Sequence, residues 1–248
     1  MSVSTLLALL IAPFVGSFLG VVVERLPAGR PIALARSRCD HCGATLGVRD
    51  LIPVLAWLVR RGRCGCGRIR LSAFYPGIEL AALAVAISAA LVLSGWLLWA
   101  SLVLGWALLT LGAIDLRHYF LPDRLTLPLI PIGLGVAYAI DPAKLADHAI
   151  GAIAGFIVFA LIAMLYRRLR GREGLGLGDA KLLGAGGAWL GWQALPSVVA
   201  LAAVIALALA LAAALAGGKL SATTKIAFGP YLALAIWLVW LYGPLVPM

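Results

Sequence analysis

Long apolar runs, separated by short polar segments, extend along almost the whole chain. A transmembrane helix needs about 20 predominantly apolar residues, which leaves room here for about eight such helices. The candidate segments are 3–23, 73–93, 96–114, 125–140, 148–166, 180–195, 197–216 and 226–245. The pattern therefore predicts an all-α fold, a polytopic membrane protein with about eight transmembrane helices.

Two of these segments are shorter than the others. Segment 125–140 contains Pro128 and Pro131, and segment 180–195 is rich in glycine. Irregular backbone at membrane depth is tolerated where it is buried in protein or lines a water-filled cavity. We therefore expect a water-accessible cavity beside these segments, with ordinary tilted helices as the alternative.

The composition agrees with a membrane protein. Of the 248 residues, 63% are hydrophobic and 12% are charged, whereas soluble domains have about 25% charged residues. The first apolar run, Ser2 to Val23, lacks a basic stretch before it and a small-residue cleavage site. We expect it to be a retained membrane anchor and not a signal peptide.

The positive charge is distributed unevenly between the two sides of the predicted membrane. Of the 20 Lys and Arg residues, 19 lie in or at the edges of alternate loops, and Lys144 is the exception. Those loops are 24–72, 115–124, 167–179 and 217–225. The positive-inside rule predicts that they are cytoplasmic and that both termini lie outside.

The net charge of +10 is explained by this topology. No platform of basic and aromatic residues accompanies the charge, so we expect no nucleic-acid binding. Anionic head groups of membrane lipids are the expected partners of the basic surface.

Residues 24–72 form the one predicted soluble block long enough to fold, and they contain four cysteines in two close pairs. The cysteines are Cys39, Cys42, Cys64 and Cys66. Four thiolates suit a closed tetrahedral Zn²⁺ site, and a small loop needs such a staple to fold. A labile or absent metal and two disulfides are the alternatives, although cytosolic thiols stay reduced. The predicted domains are a first transmembrane helix (1–23), a zinc-stapled cytoplasmic loop (24–72) and a membrane domain (73–248).

Two aspartates lie at the predicted cytoplasmic ends of apolar segments. Asp115 follows segment 96–114, and Asp179 precedes segment 180–195. A carboxylate at the edge of the hydrocarbon region is costly and indicates a function. Two that meet can share one proton, so that one carboxylate activates a water and the other hydrogen-bonds to the carbonyl under attack. Gly176 and Gly178 leave room for a peptide backbone to approach Asp179.

Structural roles for these carboxylates are equally compatible with the residues alone. Asp179 could cap the helix that starts at Ala180, and Asp123 could cap one that starts near Leu125. Asp115 could pair with Arg117 or Lys181. A cation path through a transporter or channel, and a structural membrane subunit, are the rival functions. The absence of a convincing internal repeat counts against a transporter.

Several motifs, which extend nearly from end to end, resemble the type IV prepilin peptidase family of GxGD intramembrane aspartyl proteases. They are Gly16-Ser17-Phe18-Leu19, Arg25-Leu26-Pro27, the paired cysteines, Asp50-Leu-Ile-Pro53, Tyr75-Pro76…Glu79, Asp115-x7-Asp123, Gly174-Leu-Gly-Leu-Gly-Asp179-Ala-Lys181, Gly187-Ala-Trp-Leu-Gly191 and Phe228-Gly-Pro-Tyr231. The combination is specific, whereas no single motif is.

The resemblance implies an aspartic endopeptidase with Asp115 and Asp179 as the catalytic pair and Asp123 as a supporting residue. It implies prepilins or pseudopilins of type IV pilus or type II secretion systems as substrates, whose basic leader is cleaved at the cytoplasmic face of the bacterial inner membrane. Many members of the family also methylate the new N-terminus with S-adenosylmethionine, an activity associated with the cysteine loop.

The chain departs from the family pattern near that loop. Gly20 replaces a common Asn, the second cysteine pair is CxC, Leu51 replaces a frequent Asn, and Ala227 replaces a usual Pro. These differences make methylation the less secure expectation. Glu79 is a carboxylate within the predicted apolar segment 73–93. Two roles are compatible with this position: it could bind the substrate's amine, or it could pair with Arg68 or Arg70.

Overall fold

The computed structural model describes residues 2–32, 53–64, 70–171, 175–217 and 227–245. Within these ranges the chain is built from ten α-helices. They are α1 (Val3–Arg25), α2 (Leu55–Val59), α3 (Phe74–Val92), α4 (Gly95–His118), α5 (Asp123–Thr126), α6 (Leu129–Ile140), α7 (Leu145–Arg170), α8 (Leu177–Leu190), α9 (Leu195–Leu215) and α10 (Gly229–Tyr242).

The predicted helical membrane fold is confirmed. Each of the eight predicted apolar segments contains helix, and six helical stretches among the described residues are long and apolar enough to cross a membrane. The other two, α8 and α10, have 14 residues each and are shorter than a full span. Segment 125–140 is divided at Leu127 and Pro128 into α5 and α6, because proline has no backbone N–H with which to continue the helical hydrogen bonds.

The described residues divide into two compact units, Met1–Trp106 and Ala107–Met248. In the first unit, α1 packs against α3 where Gly16 faces Glu79. A Cβ on Gly16 would lie 2.6 Å from the Glu79 Cα and 2.9 Å from the Ala82 Cβ. The two backbones can approach this closely because Gly16 has no side chain.

In the second unit, α8 is the central helix. Ten of its 14 residues are buried, and α7 lies directly against it. A Cβ on Gly151 would lie 2.6 Å from the Gly187 carbonyl oxygen, and one on Gly155 would lie 2.7 Å from the Leu183 carbonyl oxygen. Glycines four residues apart on α7 therefore allow backbone contact with α8, the small-residue packing that membrane helices use.

Candidate active site

Asp115 lies in the last turn of α4 and is 6% exposed. The sequence pattern predicts a loop at this position, but α4 continues to His118. The Oδ2 atom of Asp115 accepts a hydrogen bond of 3.0 Å from the backbone N–H of Gly229, the first residue of α10. A helix N-terminus presents unpaired N–H groups and a partial positive charge, so it stabilises a carboxylate.

The contact between Asp115 and α10 depends on a glycine. A Cβ on Gly229 would lie 2.7 Å from Asp115 Oδ2 and 3.1 Å from its Cγ. One turn earlier on α4, a Cβ on Gly112 would meet the Pro230 Cα at 3.4 Å. The Phe228-Gly-Pro-Tyr231 motif is recognisable in the sequence, but the sequence does not indicate that it contacts Asp115. The one feature that points to such a contact is its position at the start of a helix, where backbone N–H groups are free to bind a carboxylate.

Asp179 lies in the first turn of α8 and is 8% exposed. The helix begins at Leu177 with Gly176 at the cap, so Asp179 is not the first capping residue of a helix that starts at Ala180; as the third helical residue it still caps the helix through its side chain. Its Oδ2 accepts a hydrogen bond of 3.3 Å from the Gly176 N–H. No donor among the described residues reaches the buried Oδ1. An unsatisfied buried carboxylate oxygen is costly, which indicates a functional position.

The Asp179 carboxyl group is electrostatically coupled to Asp115. The pKa of Asp179 is raised to about 7, mainly by burial and also by repulsion from Asp115, while the hydrogen bond from Gly176 lowers it. Asp179 lies outside the six helices that are long enough to cross a membrane. The fold thus places two carboxylates that are 64 positions apart in the sequence close enough to repel each other, and this repulsion favours the protonated form of Asp179.

The two glycines before Asp179 face side chains of the protein. A Cβ on Gly178 would lie 3.0 Å from the Leu121 Cβ, and one on Gly176 would lie 3.3 Å from Asp179 Oδ2. Gly178 therefore lets Leu121, in the linker between α4 and α5, pack closely against the start of α8. Gly176 leaves room for the Asp179 carboxylate. The space beside these glycines is thus occupied by the protein's own side chains, and the two positions do not show room for a substrate backbone to approach Asp179.

Asp123 and Lys181 form an ion pair that joins the start of α5 to α8. Lys181 Nζ lies 2.7 Å from Asp123 Oδ1 and 2.8 Å from Oδ2. The predicted capping role of Asp123 is wrong, because it is the first residue of α5 and Pro122 precedes it at the cap. Lys181, a candidate partner of Asp115, pairs with Asp123 instead.

Glu79 lies in the first unit and is 7% exposed. Its Oε2 accepts a hydrogen bond of 2.7 Å from the Val54 N–H, and the Ser17 hydroxyl donates a second one. The sequence suggests Arg68 or Arg70 as its partner. Arg68 is outside the described residues, and the bonds that the structure gives to Glu79 come from Val54 and Ser17.

Most of the predicted zinc site lies outside the described residues. Cys64 is described and buried, whereas Cys39, Cys42 and Cys66 belong to the ranges that the structure does not describe. Among the described residues no group of three or more His, Cys, Asp or Glu side chains is placed to hold a metal ion.

Comparison with known proteins agrees with the resemblance. Residues 102–211 match the type IV leader peptidase family, and residues 10–93 match the bacterial peptidase A24 N-terminal domain. A protein of Aeromonas hydrophila named prepilin leader peptidase/N-methyltransferase is 37% identical over 96% of this chain and 90% of its own length.

Two further relatives carry the same name. The one from Burkholderia pseudomallei is 43% identical over 91% of this chain and 81% of its own length, and the one from Dickeya chrysanthemi is 39% identical over 92% and 88%. No solved structure matches the chain. With this extent of similarity, the chain belongs to the type IV leader peptidase family.

Proposed function

We propose that this protein is a prepilin leader peptidase in which Asp115 and Asp179 form the catalytic pair. The observation that carries the proposal is the coupling of two buried carboxylates, one of which has an oxygen without a donor among the described residues. Two interacting carboxylates that share one proton can serve as base and acid in a single step. Family membership and the names of the relatives point to the same reaction.

In the proposed reaction the ionised member of the pair removes a proton from a water molecule, whose oxygen attacks the scissile carbonyl carbon. The protonated member donates a hydrogen bond to the carbonyl oxygen as negative charge develops there. Proton transfer to the amide nitrogen then allows the C–N bond to break. The proton belongs to the pair, so acid and base are not assigned to single residues.

The surroundings of the pair support this chemistry. The first N–H of α10 contacts one carboxylate, and the first turn of α8 contains the other. Both helix ends partly compensate the negative charge, so that a second carboxylate can be buried beside the first. Asp123 and Lys181 act as supporting residues, because their ion pair joins the start of α5 to the first turns of α8.

The proposed substrates are prepilins or pseudopilins, cleaved at the cytoplasmic face of the inner membrane. The inside location of loops 24–72, 115–124, 167–179 and 217–225 rests on their excess of Lys and Arg. A cysteine-accessibility map in intact cells tests this orientation. Labelling of the loop containing Asp123 from the outside would contradict it.

Methylation of the new N-terminus, with S-adenosylmethionine as methyl donor, is proposed for the N-terminal part of the chain. Its support is the match of residues 10–93 to the N-terminal domain and the N-methyltransferase name of the relatives. In that part of the chain, Glu79 accepts a hydrogen bond from the backbone N–H of Val54, which belongs to the predicted cysteine loop. Transfer of a radiolabelled methyl group to a cleaved pilin peptide tests the assignment.

A structural zinc ion is proposed for Cys39, Cys42, Cys64 and Cys66. The pairing in the sequence and the burial of Cys64 support it, because structural zinc sites are closed and screened from solvent. Metal analysis of the purified protein should find about one zinc per chain. A content well below half an equivalent would contradict the proposal.

Co-expression with a prepilin tests the catalytic pair. Asp115→Asn and Asp179→Asn should each abolish cleavage, since an amide cannot share the proton, while the protein remains inserted. Gly135→Ala is the control, because a Cβ at Gly135 meets nothing within 4 Å. Cleavage retained in either Asn variant would refute the assignment. Cleavage by wild-type protein in detergent, without an ion gradient, separates a peptidase from a transporter.

A further inference from the structure

A second polar site lies at the other end of the second unit. A cavity of about 680 Å³ is lined by the end of α6, the start of α7, and the last turns of α8 and α10. Asp179 and Gly229 begin α8 and α10, whereas the cavity residues Trp189 and Trp240 lie near the ends of the same helices. Ten residues of α-helix span about 15 Å, so this cavity is separate from the candidate active site.

The cavity wall contains charges of both signs. Asp141, Lys144 and Asp147 line it together with His148. The Trp192 indole N–H donates to Asp147 Oδ1 at 3.1 Å, which orients that carboxylate. Lys144 Nζ lies 3.9 Å from Asp141 Oδ2, at an exposed position. Such a wall offers carboxylates to an amine and an ammonium group to a phosphate.

The imidazole of His148 is held in one orientation. Its Nδ1 lies 3.1 Å from the Ala188 carbonyl oxygen, and since a carbonyl only accepts, Nδ1 carries the hydrogen. A Cβ on Gly191 would lie 3.9 Å from the other ring nitrogen, Nε2. Two indoles, of Trp189 and Trp240, pack edge to face at 5.2 Å and complete the wall. A cation beside an indole gains cation–π energy.

The cavity lies at the level where the helices leave the apolar layer. Asp141 is the first charged residue after α6, and exposed aromatic side chains surround this end of the unit. They are Tyr138, Trp192 and Tyr242, which are 59%, 45% and 65% exposed. Tyr and Trp concentrate at the boundary between membrane and water. These positions indicate that the cavity opens at the level of the lipid head groups.

We propose that this cavity binds the phosphoethanolamine head group of a membrane phospholipid. Its ammonium group fits beside Asp147 and Trp240, and its phosphate fits beside Lys144. A volume of about 680 Å³ lies in the range of small-molecule sites. The mixed charges favour a zwitterion over an anionic lipid, and the carboxylates favour a primary ammonium, which donates three hydrogen bonds, over a quaternary one, which donates none.

Native mass spectrometry of the full-length protein tests the proposal after reconstitution in nanodiscs. The discs contain equal amounts of phosphatidylethanolamine, phosphatidylcholine and phosphatidylglycerol with identical acyl chains. Wild-type protein should retain phosphatidylethanolamine preferentially. Asp147→Asn and Lys144→Gln should each reduce that retention about tenfold, because each removes a charge-assisted hydrogen bond.

Matched controls separate head-group recognition from folding. Asp147→Glu and Lys144→Arg keep the charges and should keep the preference, whereas Asp123→Asn removes a carboxylate at the other end of the unit and should leave lipid retention unchanged. Equal retention of the three lipids, preference for phosphatidylglycerol, or unchanged retention in both charge-removing variants would overturn the proposal.

Discussion

Asp115 Oδ2 accepts its hydrogen bond from the N–H of Gly229 at 3.0 Å, although the two residues are 114 positions apart in the sequence. The bond joins the end of α4 to the start of α10. It places a carboxylate at a helix N-terminus, where the helix supplies partial positive charge. The candidate pair is therefore held by backbone from a third helix as well as by its own two.

Gly229→Ala should nearly abolish prepilin cleavage. The new Cβ would lie 2.7 Å from Asp115 Oδ2, so either the carboxylate or α10 must move, and a displacement of about 1 Å at a reacting group can reduce the rate about 100-fold. Initial rates of cleavage in detergent measure the effect. Gly135→Ala, with nothing near its Cβ, is the matched control. Equal activity of the two variants would contradict the proposed importance of this contact.

Asp179→Asn should stabilise the protein above neutral pH while it abolishes cleavage. The pKa of Asp179 is raised from 3.8 to about 7 in the folded state, so the folded protein binds more protons than the unfolded chain between these values. Stability is therefore greatest below the lower value and is lost as the pH rises through about 7. The amide variant should lose this dependence and melt a few degrees higher at alkaline pH.

Thermal unfolding in detergent from pH 4 to pH 9 checks that prediction. Gly135→Ala is the comparison, because its new Cβ meets nothing within 4 Å and the variant keeps the Asp179 carboxyl. If the melting temperature of the wild-type protein stays constant or rises between pH 4 and pH 7, Asp179 is not a buried carboxyl group that interacts with Asp115.

The ion pair between Asp123 and Lys181 should affect catalysis more than stability. Both side chains are partly exposed, at 52% and 30%, so the pair contributes at most about 1 kcal/mol to folding. It joins the start of α5, next to buried Leu121, to the first turns of α8. Asp123→Asn and Lys181→Met should each lower kcat/KM about tenfold through mispositioning.

A double-mutant cycle distinguishes this coupling from two separate effects. If the pair acts as a unit, the double variant should be no worse than either single variant. The charge-swapped protein with Asp123→Lys and Lys181→Asp should recover part of the activity. Multiplicative losses in the double variant would show that the two residues act independently.

Glu79→Ala should destabilise the first unit. It removes the acceptor for the Val54 N–H at 2.7 Å, and Val54 has a strained backbone with φ of 59°. Leaving a part-buried donor unsatisfied costs about 1–3 kcal/mol. Glu79→Gln keeps an acceptor oxygen and should melt close to wild type. Melting curves in detergent measure the difference, and equal melting of the Ala and Gln variants would argue against a structural role for Glu79.

The hydrophobic pattern by itself determined the order and approximate limits of the apolar helices, although six of the eight predicted segments, among the described residues, are long enough to cross a membrane. Apolar runs of this length have one stable state in lipid, because a helix satisfies its own backbone. The excess of Lys and Arg in alternate loops predicts the orientation of these helices. The motifs correctly identified the family, because their combination along the chain is specific to it.

Only the tertiary structure decided which partners the polar residues take. Lys181 is a candidate for Asp115 by sequence but pairs with Asp123, and Glu79 binds the Val54 backbone. These choices depend on contacts between helices that are distant in sequence, which local patterns do not encode. The bond from Gly229 to Asp115 arises in the same way, since it requires α10 to begin where α4 ends. Sequence patterns thus determined which segments are buried in the membrane, whereas packing determined which charges meet.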